Sequence, residues 1–189
     1  MQSEAVYLQD KASATMLRNT GVDEGLGLSG YYDVKCVGAD GQIKWEDTIK
    51  NLVVTVGRND LLDKYFAGAS YTAAWYMGLV DNSSFSAYAA GDTLASHAGW
   101  LEFLNYSGAN RATVGWNAAS AGSKATTVTT FNINGSGTVL GSLMCATQPK
   151  NTASNGGAGI LFSAGSFTGG SRAVVSGDSL LVTYTIATS

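Results

Sequence analysis

The feature that most constrains the fold is a series of short segments with strand-like alternation, separated by Gly, Ser and Asn. In the last of them, residues 179–186, Leu180, Val182 and Tyr184 would point to one face and the intervening residues to the other. Similar segments occur at residues 31–37, 42–45, 73–80, 100–106, 125–133, 138–145, 159–162 and 172–175. Many short strands at regular spacing are typical of a β-sandwich, jelly roll or barrel. We therefore predict an all-β domain of the β-sandwich or jelly-roll type.

Local signals refine the first half of this domain. Residues 38–41, Gly-Ala-Asp-Gly, predict a hairpin turn between the first two strands. A β-branched run within residues 48–57 predicts a further strand. One short helix is predicted over residues 59–66, with Asn59 as its N-cap and Gly68 as its C-terminal stop.

Residues 1–30 are interpreted as an N-terminal arm, and residues 31–189 as the β-domain. The arm has weak apolar periodicity and ends in a Gly-rich stretch. Such an arm would lie either on its own domain or on a neighbouring subunit, and we expect intersubunit contacts. Gly25, Gly27 and Gly30 have the spacing of a dinucleotide-binding loop, but a strand-like segment follows them where that loop requires a helix.

Charge is sparse and unevenly distributed along the chain. Charged residues make up 13% of the sequence, about half the usual quarter. Residues 1–64 carry 17 of the 25 charges (11 basic plus 14 acidic), whereas residues 112–189 carry four, namely Lys124, Lys150, Arg172 and Asp178. Either Ser, Thr and Asn make the surface of this second half polar, or much of it faces other protein, because interface cores are depleted in charge.

Composition also bears on partners and compartment. A net charge of -3 argues against nucleic-acid binding, which needs clustered Lys and Arg. Residues 1–11 lack the pattern of a signal peptide, and the charge-free residues 125–149 lack the roughly 20 apolar residues of a membrane helix. We expect synthesis in a reducing cytoplasm, no membrane partner, and free, buried thiols at Cys36 and Cys145.

Catalytic patterns are weak in this sequence. His97 is the single histidine, so HExxH and Cys/His zinc motifs are excluded. A metal site of Asp92, His97 and Glu102 is conceivable, but a lone histidine near acids is more typical of a structural hydrogen bond. A glycosidase pair could come from Asp81, Asp92, Glu102 and Asp178, yet no pattern marks one. We predict no enzyme and no catalytic, cofactor-binding or metal-binding residues.

The four tryptophans offer a second kind of candidate site. Exposed aromatic rings would suit a sugar-binding face, whereas buried rings would belong to the core or a subunit interface. The sequence around them favours the core or an interface for Trp45, Trp75, Trp100 and Trp116.

A set of motifs in the β-domain allows a family comparison. Residues 76–81, Tyr-Met-Gly-Leu-Val-Asp, are followed by Phe85, Tyr88, Gly-Asp-Thr-Leu at 91–94 and Ser-His-Ala-Gly-Trp-Leu-Glu at 96–102. Three further motifs are Lys-Asn-Leu-Val-Val-Thr-Val-Gly-Arg-Asn at residues 50–59, Phe-Thr-Gly-Gly-Ser-Arg at residues 167–172 and Gly-Asp-Ser-Leu at residues 177–180. Over residues 45–189 the chain resembles small structural proteins of tailed bacteriophages, and the arm is unmatched.

This resemblance implies a virion component, most like a head decoration or cement protein on the outer capsid surface. The implied partners are the major capsid protein and further copies of the chain, as a homotrimer assembled in the host cytoplasm. No catalytic residues are implied. Two alternatives stay open: a tail or fibre component that binds a host glycan through loops such as residues 81–92 or 148–159, and a phage-encoded glycan hydrolase with two close carboxylates in a groove.

Overall fold

The computed structural model describes residues 27–68, 70, 74–150 and 159–188. Residues 1–26, most of the predicted arm, and residues 151–158 lie outside the described residues. The described part consists mainly of antiparallel β-strands with one short helix, so the predicted all-β, sandwich-like fold is confirmed. The first strand begins at Leu28 rather than at residue 31, and the end of the predicted arm therefore belongs to the sheet.

The first half of the described chain contains the longest strand and the helix. Its elements are β1 (Leu28–Val37), β2 (Ile43–Val53), α1 (Thr55–Phe66), β3 (Tyr76–Asp81), β4 (Leu101–Phe103) and β5 (Ala112–Thr113). The second half contains strands alone, namely β6 (Ser123–Ala125), β7 (Thr129–Asn132), β8 (Gly137–Cys145), β9 (Leu161–Phe167), β10 (Arg172–Val174) and β11 (Ser179–Thr188).

The strands form one antiparallel sheet in the order β4-β3-β8-β9-β2-β1-β11-β6. Three strands each pair, along one side, with two partners that follow one another. These are β3 with β4 and β5, β8 with β9 and β10, and β11 with β6 and β7. The predicted turn at residues 38–41 connects β1 to β2, and Gly41 adopts the positive φ of 77° that favours glycine there.

The sheet curls so that its two edges meet and enclose a core. At the seam between these two edges, the backbone N–H of Ser107, after β4, donates to the carbonyl of Asn132, at the end of β7. Further along, the N–H of Thr127 donates to the carbonyl of Gly115. The seam therefore gives hydrogen-bond partners to backbone groups that an open sheet edge would leave exposed.

Two hydrophobic clusters lie on opposite faces of β3, β8 and β9. The main core lies inside the curled sheet and takes Val139 and Met144 from β8. The second cluster lies outside, beneath the loop of residues 82–100, and takes Leu143 and Cys145 from the same strand. Burial on both faces explains why β8 reads as a nearly continuous apolar run rather than an alternating one.

Several boundaries differ from those predicted. The helix begins at Thr55, not at Asn59, because tertiary contacts satisfy its first amides: the N–H of Val54 donates to the carbonyl of Phe162, and that of Thr55 to the carbonyl of Ala90. The β-branched run therefore stays a strand through Val53 only. The segment predicted at residues 125–133 contains β7 and only the last residue of β6, and β5 has too few residues to give a sequence signal.

Helix α1 packs on β9 through Gly57, its buried residue. A Cβ atom at this position would lie 2.6 Å from the carbonyl oxygen and 2.8 Å from the Cα atom of Phe162. Both are backbone atoms that cannot rotate away. The absence of a side chain therefore sets the distance between the helix and the sheet.

We expect Gly57→Ala to destabilise the domain by about 1–2 kcal/mol, because an overpacking cost of about 1–3 kcal/mol outweighs the helix propensity that Ala gains. The matched control is Gly91→Ala, since a Cβ there meets no described atom within 4 Å. Urea unfolding of both variants measures the difference, and equal stability would contradict the proposed contact.

Candidate functional site

His97, the single histidine, is buried in the loop that covers the outer cluster. Its ring stacks on Trp100 with centroids 3.8 Å apart, and its Nδ1 lies 3.1 Å from the carbonyl oxygen of Trp100. A carbonyl can only accept, so Nδ1 carries the proton. Burial lowers the pKa of His97, although the Trp100 carbonyl and Asp92 oppose the shift. His97 is therefore a neutral structural group in a packed loop.

Asp92 and Glu102, the acids predicted as possible partners of His97, belong to separate networks. Asp92 accepts from Trp100 Nε1 at 3.0 Å and from the N–H of Ala89 at 3.0 Å, and so closes the loop. Glu102 lies on β4 and forms a buried ion pair with Arg111, with Nη2 and Oε2 2.8 Å apart. The described residues hold no group of three or more His, Cys, Asp or Glu side chains suited to a metal.

The Glu102–Arg111 pair is the centre of a buried polar cluster at the end of β4. Arg111 Nη1 donates to the carbonyl of Thr147 at 2.8 Å, and the Tyr106 hydroxyl donates to Glu102 at 3.3 Å. Lys150 Nζ lies 3.9 Å above the Tyr106 ring. These contacts connect β4, the loop after it and the end of β8, so the cluster fixes the fold at this corner.

The remaining predicted acids are also engaged in local structure. Asp81 accepts from the N–H of Ser83 in the turn after β3. Asp178 is buried and accepts from Lys44 Nζ at 2.7 Å and from the N–H of Val175 at 3.0 Å. Burial alone would raise the pKa of Asp178, but these donors hold it below its usual value. The structure thus assigns each of the four acids to a structural contact.

The two cysteines are free and buried among the described residues, which confirms their prediction as small core groups. Burial raises the pKa of the Cys36 thiol to about 11, and it also raises the pKa of Cys145. A thiol of high pKa contributes little nucleophilic thiolate at neutral pH.

The tryptophans lie in or against the core, as predicted. Trp100 is fully buried in the outer cluster, whereas Trp45, Trp75 and Trp116 are partly buried and pack on the main core. In the loop proposed for glycan contact, Phe85 and Tyr88 pack on the outer cluster.

All four charged side chains of residues 112–189 are bound within the molecule. Arg172 pairs with Asp47 at 2.6 Å, and Asp178 pairs with Lys44 as described. Lys124 donates to the carbonyl of Asn117 at 2.8 Å, and Lys150 donates to the carbonyl of Tyr106 at 2.8 Å. Among the described residues of the second half, Arg172 and Asp178 are therefore ion-paired, whereas Lys124 and Lys150 keep their charge and are held by carbonyl oxygens.

Two concave surfaces remain as candidate binding sites. The first, about 840 Å³, lies on the outer face of β1, β2 and β11 and includes the exposed Lys35–Glu46 ion pair. The second, about 630 Å³, lies between α1 and the open end of the main core, and we name it the end groove. Its walls are largely apolar and include Tyr65, Phe66, Trp75, Trp116, Phe162 and Ile186.

The end groove was not anticipated from the sequence. The apolar positions of α1 were expected on one face, which normally packs inward. In the structure that face is exposed, with Tyr65 at 81% and Phe66 at 74% accessible. Helix spacing alone cannot distinguish a core-facing stripe from one that borders a groove.

No protein-family model matches the chain, and no curated protein matches it. No helix in the described ranges has the length and apolarity needed to cross a bilayer.

We expect Glu102→Gln to cost about 3–5 kcal/mol of unfolding free energy, because it leaves the buried Arg111 guanidinium without a counter-charge. Glu46→Gln is the matched control. It breaks an exposed ion pair with Lys35 of 2.7 Å, for which about 0–1 kcal/mol is expected. Denaturant unfolding of both variants tests this, and a small cost for Glu102→Gln would disprove a structural role for the pair.

The buried His97 predicts a pH-dependent stability. Its folded pKa lies below the ordinary 6.5, so the unfolded chain binds a proton first as the pH falls. The contribution of neutral His97 to the free energy of unfolding is complete above about pH 6.5 and is lost as the pH falls below it. Asp47 and Asp178 stay ionised in this range because their pKa values lie below 3.8.

Between about pH 7.5 and about pH 5.5, the native chain should therefore lose more unfolding free energy than a His97→Gln variant. Each protein is compared with itself at the two pH values, so any pH-independent effect of the substitution on the free energy of unfolding cancels. Equal losses in both proteins would show that His97 does not cause the dependence.

Proposed function

We propose that this chain is a structural protein of a bacteriophage virion that decorates the outer capsid surface and bridges neighbouring capsomers. The observation that carries the proposal is the surface of residues 112–189, whose four charges are all paired or hydrogen-bonded within the molecule. Interface cores are depleted in charge, and a surface with few charged side chains loses less solvation when another protein covers it.

The engagement of the polar side chains gives further support. The acids, the histidine and the thiols that could serve a reaction instead hold loops, turns and the core in place. A protein that strengthens a shell under outward load needs a rigid body and a large contact area, and the curled sheet with two hydrophobic clusters supplies such a body.

Association with other copies fits the same surface. A stable contact buries on the order of 1,600 Å² in total, and apolar area contributes about 25 cal/mol per Å² before association costs. Closed symmetry is the usual arrangement of homo-oligomers, and a trimer matches the three-fold positions of a capsid lattice. We therefore propose the homotrimer as the unit that binds the major capsid protein.

The test places a charge on this surface. Val128, at 61% accessible, and Val175, at 47%, are the large exposed hydrophobic residues of the second half. Val128→Lys and Val175→Lys are compared with Ile43→Lys, an equally exposed position in the charged first half. Each protein is added to shells of the encoding phage that lack it, and occupancy is measured by densitometry against the major capsid protein.

We expect the native protein to occupy the shells in a fixed ratio to the major capsid protein. At least one of the two second-half variants should bind roughly tenfold more weakly, because an unpaired charge in an interface costs more than about 1.4 kcal/mol. Ile43→Lys should bind normally. Unchanged occupancy in all variants would disprove the proposed surface. A few copies in purified virions, confined to the tail, would instead favour the glycan-binding alternative.

A further inference from the structure

The end groove is an opening in the main core rather than a depression on a polar surface. The side chains of Leu28, Trp116 and Ile186 pack on the main core, but each is only partly buried. Across the groove, Tyr65 and Phe66 of α1 form an edge-to-face pair with centroids 4.9 Å apart. A contiguous apolar patch of this kind marks a place where other protein packs.

The described chain begins beside this groove. Leu28, the first residue of β1, pairs with Thr188, and Gly30 pairs with Ile186, which lines the groove. Ile186 also pairs with Lys124 on its other side. Because neighbouring strands lie about 4.8 Å apart, Gly30 lies roughly 10 Å from Lys124 at the groove rim, and residue 27 enters the sheet only three residues before Gly30.

The preceding 26 residues have the chemistry to cover this opening. They contain two apolar blocks, residues 5–8 (Ala-Val-Tyr-Leu) and residues 16–17 (Met-Leu). Asp23 and Glu24 precede Leu28 by five and four residues, a length of chain that permits contact between their carboxylates and Lys124. The segment from residue 8 to residue 27 can span up to about 60 Å when extended, so the first block can fold back over α1.

We propose that residues 1–26 occupy the end groove of their own chain, with residues 5–8 in contact with Tyr65 and Phe66 and the acids at 23–24 near Lys124. Docking within one chain is favoured over docking on a second copy because a short flexible connection gives an effective concentration in the millimolar range. The sequence alone led us to expect contacts with a neighbouring subunit, whereas the point at which the chain enters β1 supports docking on its own domain. The inference does not depend on capsid binding.

The experiment uses the full chain with a photoreactive side chain in the arm. Tyr7 is replaced with p-benzoylphenylalanine, the protein is irradiated, and the cross-linked peptides are identified by mass spectrometry. A mixture of nitrogen-15-labelled and unlabelled protein distinguishes cross-links within one chain from those between copies. The matched control is the same replacement at Tyr31, which is 43% exposed on the outward-facing side of β1.

We expect cross-links from position 7 to residues 61–66, Trp75 or Trp116, within one isotopic form and at a yield independent of protein concentration. Phe66→Asp should lower this yield roughly tenfold, because it replaces an apolar contact with a charge. Because Phe66 is largely exposed, the variant should keep the native circular dichroism spectrum. The Tyr31 control should give no cross-links to the groove.

Two results would overturn the proposal. Cross-links that join labelled to unlabelled chains would show that the groove binds the arm of a second copy. Cross-links that fall outside the groove, or a yield that Phe66→Asp leaves unchanged, would show that the arm does not dock there. Either result can occur whether or not the protein binds capsids, so this test and the test of the proposed function fail independently.

Discussion

The burial of β8 on both faces is the constraint on which the rest of the structure depends. One face of the strand packs into the curled sheet, and the other is covered by the loop of residues 82–100. A sheet strand covered by a loop rather than by a second sheet requires that the loop be fixed. Asp92, His97 and Trp100 fix it through one ring stack and three hydrogen bonds, two of them to the Asp92 carboxylate.

The same requirement for fixed loops and turns accounts for the contacts made by other charged side chains among the described residues. Glu102 and Arg111 hold the corner where the loop region meets the end of β8. Asp178 holds the turn before β11 with the help of Lys44, and Asp47 holds β2 against Arg172. Removing one partner of a buried pair such as Glu102–Arg111 leaves an uncompensated charge in the interior, which is strongly destabilising. They are therefore suited to a static role.

The sequence predicts the strands well where alternation is local, as in residues 179–186, and the turn at 38–41, where glycine is required. It does not predict elements that depend on distant partners. The first turn of α1 depends on the carbonyls of Phe162 and Ala90, and the sheet closes through contacts between remote segments. The end groove is missed for the same reason, since a stripe of apolar residues on a helix carries no information about what faces it.

The uneven distribution of charge along the chain does not divide the folded surface into a charged part and an uncharged part. The outer face of β1 and β2 carries the Lys35–Glu46 pair and other exposed charges, which are well hydrated and costly to cover. Val128 of the second half lines the same concave surface as this pair, and Arg172 and Asp178 pair with Asp47 and Lys44 of the first half. If the chain binds other proteins, desolvation favours contact through parts of the surface with few charged side chains over contact through this concave surface. Orientation in an assembly would then follow from the placement of a few ion pairs rather than from a dedicated recognition motif.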